Sequence, residues 1–86
     1  MTRDEAKQAL ADNRPALVKV ASRIIRGYGI SPEDAVQDAY LKALRAVEAG
    51  SAPQERQHLL AWFTRVVHSA AYDALRGHSA GPLGRT

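Results

Sequence analysis

The sequence predicts an all-α fold: a compact bundle of three long helices preceded by a short N-terminal one. Three observations lead there. Apolar residues recur at steps of three and four along most of the chain. Helix start and stop signals punctuate that pattern, and no run of strictly alternating residues calls for a strand. Finally, 86 residues fit one small core and leave no room for a second.

The elements follow in order. A short leading helix is expected from about Thr2 to Ala11, with Ala6, Ala9 and Leu10 as its apolar face. Asp12 or Asn13 can cap the next helix, with Pro15 where a missing N–H costs nothing. Leu17, Val20, Ala21, Ile24 and Ile25 carry that helix to a stop at Gly27-Tyr28-Gly29. Ser31 and Pro32 then give the clearest start in the chain, with Asp34 closing a variant capping box. Ala35, Val36, Ala39, Tyr40, Ala43, Leu44 and Val47 form the buried side of this third helix, which should end near Gly50.

Residues 49–57 read as a loop because Gly50, Ser51 and Pro53 break the periodicity. The last helix is expected from about His58 to Arg76. Leu59, Leu60, Trp62, Phe63, Val66, Val67, Ala70, Ala74 and Leu75 make up its apolar side, with Trp62 in the core. One domain therefore covers residues 1–76, and residues 77–86, rich in glycine, should be a flexible tail or linker.

Composition excludes several functions. Without cysteine there is no disulfide framework, thiolate zinc site or cysteine nucleophile. No apolar run approaches the roughly 18 residues of a membrane span, and residues 1–5 lack a signal peptide's apolar stretch. The expectation is a cytoplasmic protein with no membrane contact.

The net charge of +3 hides a segmented distribution. Residues 1–30 carry six basic and three acidic side chains, residues 31–55 two and five, and residues 56–86 four and one. Such a pattern suits one face for a polyanion and another for a basic partner, although ordinary surface variation produces it too.

Catalysis finds little support. His58, His68 and His78 are evenly spaced, but ten helical residues rotate a side chain about 80° short of whole turns, so the first two do not share a face. Asp34 and Asp38 lie one turn apart and could hold a cation, yet carboxylates at a helix start follow from capping and dipole effects alone. There is no glycine-rich phosphate loop and no serine beside a base. We expect no enzyme activity, no cofactor and no metal.

Two helix faces look like binding surfaces instead. Arg65, His68, Ser69, Tyr72 and Arg76 step by three and four along the last helix. Arginines there can meet phosphates, and Tyr72 and His68 offer flat surfaces to unstacked bases. The small, polar loop before that helix could close over an extruded base. On the third helix, Asp34, Gln37, Asp38, Leu41, Lys42 and Arg45 make an outer face with an acidic start, suited to a basic partner helix. A solvated amphipathic surface accounts for either face equally well.

A resemblance narrows the choice. Ser31 to Leu44, with its acidic pair, Gln37, Asp38, Tyr40 and Leu41, resembles region 2.2 of bacterial sigma factors of the extracytoplasmic-function group. Leu60 to Arg76, with Trp62-Phe63, Arg65 and the closing Asp73-x-Leu75-Arg76, resembles regions 2.3 and 2.4. Arg14 to Ile30 fits region 2.1 more loosely. The resemblance implies a non-catalytic domain that binds the clamp helices of the largest RNA polymerase subunit through Asp34, Gln37, Asp38 and Leu41. It also implies that Ser51, Gln54 and Arg56 sit at a loop holding a flipped base of the minus-ten promoter element. Arg65, His68, Ser69, Tyr72 and Arg76 would then grip the melted non-template strand.

The sequence departs from the family pattern at Ser69, where asparagine is usual, and after Arg76, where glycines interrupt a basic helix. No helix-turn-helix domain follows, which suggests either an excised domain or a short relative. An anti-sigma factor is the alternative partner, in which case the chain would act as a sigma-like mimic that never touches promoter DNA.

Overall fold

The computed structural model describes residues 1–79, which form three helices: α1 (Arg3–Ile25), α2 (Pro32–Ala49) and α3 (Arg56–Ser79). Among the described residues there is no strand.

The expected break between a short leading helix and its successor does not occur. A single helix, α1, runs through Pro15. Its start is a full capping box: the Glu5 amide donates to Thr2 Oγ1 at 3.1 Å, and the Thr2 amide donates to Glu5 Oε1 at 2.7 Å. Pro15 removes one backbone donor and crowds the carbonyl of Ala11, a cost of about 3 kcal/mol in a helix interior. Helix continuity wins because Ala6, Ala9, Leu10, Leu17, Ala21 and Ile25 form one buried stripe that crosses the proline, while Pro15 itself faces solvent. A break would misalign the two halves of that stripe, and burying Leu10 and Leu17 alone contributes about 1.5–3 kcal/mol each.

Both turns behave as their residues dictate. Gly27 and Gly29 take φ values of 85° and 72°, conformations that bulky side chains avoid, and reverse the chain after α1. Ser31 Oγ accepts from the Asp34 amide at 3.3 Å and donates to Glu33 Oε1 at the same distance. The serine cap thus forms on the Asp34 amide, but the return bond from the Asp34 carboxylate that would close a capping box is absent among the described residues, and the Ser31 hydroxyl donates to Glu33 instead. At the end of α2, Gly50 adopts φ 77°, its amide donates to the Val47 carbonyl at 3.1 Å, and the Ser51 amide donates to the Ala46 carbonyl at 2.9 Å. This is a Schellman cap.

α2 runs antiparallel to α1 and to α3, so α1 and α3 finish at the same end of the bundle. The Lys7–Glu48 ion pair (2.5 Å) and the Arg14–Gln37 hydrogen bond (2.8 Å) fix the α1/α2 alignment. The Tyr40 and Phe63 rings, 6.4 Å apart, fix that of α2 and α3.

Phe63, Leu10, Ile25, Leu59, Val36 and Val67 fill the centre. Ala39, Ala43 and Ala71 are fully buried between them, letting the backbones approach closely without large aromatic side chains. Trp62, expected in the core, packs only against its edge and stays partly exposed. Among the described residues no polar or charged side chain is buried, so the core depends on apolar packing.

α3 is longer at both ends than its periodicity suggests, starting at Arg56 and passing Gly77 to reach Ser79. The rest of the expected tail, residues 80–86, lies outside the described residues. No helix among the described residues is long and apolar enough to cross a membrane.

Candidate functional site

The α2 face builds up from helix geometry. Because Ala35, Val36, Ala39, Ala43 and Val47 point into the core, Asp34, Gln37, Asp38 and Leu41 must point away, and all four are exposed. Leu41 leaves 42% of its surface in solvent, with Asp34 and Asp38 toward the helix start and Lys42 and Arg45 after it. Its neighbours are tied down. Asp38 pairs with Lys42 at 3.3 Å, one turn on, and Gln37 Oε1 accepts from Arg14 Nη2 of α1 at 2.8 Å. The same Arg14 guanidinium stacks 4.6 Å above the Tyr40 ring. Spacing along the sequence does not single out Arg14, since its partners lie on another helix.

Further along the same helix, Lys7 beside Glu48 holds that carboxyl below its usual range through a hydrogen bond and its charge. Glu5 is lowered too, by the backbone and side-chain hydrogen bonds of Thr2. Neither group belongs to the four-residue face; both anchor α1.

On α3, burial of Leu59, Phe63, Val67, Ala70 and Ala71 turns Arg65, His68, Ser69, Tyr72 and Arg76 outward. Tyr72 is the most exposed large hydrophobic side chain among the described residues, at 55%. An aromatic ring held in water on a rigid helix loses little entropy when a base stacks on it. Arg65 makes no ion pair among the described residues, whereas Arg76 is held by Asp73 one turn before it. The charge of Arg76 is therefore partly answered within the helix.

The loop residues do not converge on one pocket. Ser51 is exposed, and its hydroxyl donates to the Ala46 carbonyl at 3.3 Å, serving the helix cap. Gln54 donates from Nε2 to the Ala52 carbonyl at 3.3 Å and borders a cleft of about 140 Å³ shared with Met1, Thr2, Arg3, Val47 and Pro53. Arg56 opens α3 and borders a different groove, with Glu5 and Gln8 of α1. Arg3 at the first cleft is a cation that spacing along the sequence does not single out, because only the fold brings residues 3 and 54 to one cleft. From Arg56 to Arg76 the helix rises about 30 Å, so the loop and the α3 stripe can be reached together only by an extended ligand.

Among the described residues, no three His, Asp or Glu side chains gather as a metal site would require.

Comparison with family models gives a match to sigma-70 region 2 over residues 9–80, most of the chain. Comparison with curated proteins and with solved structures gives no match.

Proposed function

This chain belongs to the sigma-70 region 2 family, and we propose that it docks on the polymerase clamp through α2 and holds the melted minus-ten element through α3. Sigma-70 region 2 is a non-catalytic domain of transcription initiation that binds RNA polymerase core and promoter DNA. The finer reading, an extracytoplasmic-function sigma factor acting in the cytoplasm, rests on the motifs of α2 and α3.

The observation that carries the proposal is the contrast between two exposed helix faces. α2 presents Asp34 and Asp38 at its start and the exposed Leu41 one turn on, an acidic patch running into an apolar one that suits a basic helix. α3 presents Tyr72 and His68 between Arg65 and Arg76, the combination of stacking surface and cation that unpaired strands require. Gln54 at its cleft and Ser51 and Arg56 nearby are proposed to meet a base displaced from the duplex.

Binding to a fragment carrying the polymerase clamp helices tests the α2 assignment. Asp38→Arg and Leu41→Asp should each weaken it at least tenfold, because like charge or a desolvated carboxylate then faces the partner. Undiminished binding by both variants would remove α2 as the docking face. Binding to an anti-sigma factor, with none to the clamp fragment or to DNA, would instead support the mimic reading.

A further inference from the structure

Neither binding face uses the C-terminal half of α1. There Lys19, Arg23 and Arg26 lie at steps of four and three, all exposed, on one side of the helix and its cap. None of the three is in an ion pair among the described residues, unlike Lys7, Lys42 and Arg76. With Val18, Ser22 and Pro32 they border an open groove between α1 and the start of α2, where Glu33 supplies the one carboxylate.

Unanswered cations at this density repel one another and favour an anionic partner. Three features select a nucleic-acid backbone over an acidic protein. The groove's lining holds no large exposed apolar side chain of the kind that anchors a protein interface; Tyr28, 47% exposed, lies two residues past Arg26 and outside that lining. The seven-residue span rises about 10.5 Å, roughly three phosphate steps along one strand of a duplex at about 3.4 Å each. Moreover, the stripe lies at the end of the bundle where α3 also finishes with Tyr72 and Arg76.

We propose that Lys19, Arg23 and Arg26 form a second, sequence-independent DNA contact that binds phosphates of a double-stranded segment. The cations position the duplex and read no bases. This extends the nucleic-acid reading of α3 to another element, and it can be tested apart from that reading.

The test is fluorescence anisotropy of the full 86-residue chain with a labelled non-promoter duplex and with a single-stranded minus-ten oligonucleotide, across a salt series. The variants are Lys19→Gln/Arg23→Gln/Arg26→Gln and, separately, Tyr72→Ala, with helicity checked by circular dichroism. Exposed positions make folding of the triple variant secure; Arg23→Gln alone serves as a second, milder change. The triple variant should lower the slope of log affinity against log salt on the duplex by about 2.7, and the single variant by about 0.9. Tyr72→Ala should leave the duplex slope unchanged and weaken the single strand.

An unchanged duplex slope in the triple variant, or no duplex binding by the unaltered chain at low salt, overturns the proposal. If Tyr72→Ala has no effect on the single strand while the triple variant loses its slope, the α3 reading fails and the α1 contact stands.

Discussion

Arg14 of α1 donates a 2.8 Å hydrogen bond to Gln37 and stacks 4.6 Å over Tyr40, so one side chain fixes two residues of α2. Gln37 lies on the proposed docking face, which makes Arg14 a positioning residue for it. Replacing Arg14 with alanine removes a hydrogen bond and a cation–π contact, at a cost of about 1–2 kcal/mol in urea unfolding. Arg14→Lys should recover less than half of that, because an ammonium cannot both stack and reach the amide in the same geometry. Clamp binding should weaken with Arg14→Ala even under conditions where the variant is fully folded.

Phe63 is fully buried at the junction of α2 and α3. Phe63→Ala should cost about 3–5 kcal/mol, a large part of the stability available to a chain this short. Thermal unfolding followed by circular dichroism should show a much lower midpoint or no cooperative transition. Phe63→Leu, which keeps most of the volume, should unfold cooperatively.

Pro15 sits in the interior of α1 with its side chain in solvent. Pro15→Ala restores a donor to the Ala11 carbonyl and relieves the ring's crowding, at the expense of a more flexible unfolded chain. The net expectation is a gain of roughly 1–2 kcal/mol in urea unfolding. A loss of stability would mean that α1 is kinked at residue 15 in a way the packing needs.

The Glu5 and Glu48 carboxyls are both held below their ordinary value of 4.5 in the folded chain. Groups with lowered folded values add stability that is fully present above the unfolded value and fades as pH falls through the folded one. Stability should therefore decline in acid below about that ordinary value. Glu48→Gln should be less stable than the unaltered chain at neutral pH and equal to it in strong acid. Both carboxyls are exposed, so the difference should be small and shrink with added salt.

How far these relationships can be read from sequence differs from element to element. Ser31-Pro32 and Gly50 mark the two ends of α2 because cap chemistry is local, and the structure keeps both. Pro15 misleads for the same reason: a proline after Asp12 and Asn13 looks like a helix start, and only the shared buried stripe on either side of it shows otherwise. Thr2 and Glu5 carry the true start signal, three residues apart, but the few apolar residues that follow them in the first turns suggest a weak helix. Trp62 falls at core spacing, yet the core is filled by Phe63 and Leu59, and the larger ring is left at its edge.

The outward positions of α2 and α3 follow from period alone, so the proposed face residues are legible, and all are exposed. Contacts between helices are not. The hold of Arg14 on Gln37, the cleft shared by Arg3 and Gln54, and the placing of Gln54 and Arg56 on different clefts depend on how three helices align. The unpaired stripe of Lys19, Arg23 and Arg26 has a visible spacing, but its lack of acidic partners becomes apparent only once α2 is in place.

The most direct measurement is the affinity of core RNA polymerase for a labelled minus-ten non-template oligonucleotide, with and without this chain. The chain should raise that affinity at least tenfold. Asp38→Arg should abolish the gain by releasing the chain from polymerase, and Tyr72→Ala by removing a stacking surface worth about 1–3 kcal/mol per base. No gain from the unaltered chain, or a gain that both variants retain in full, would contradict the proposed function.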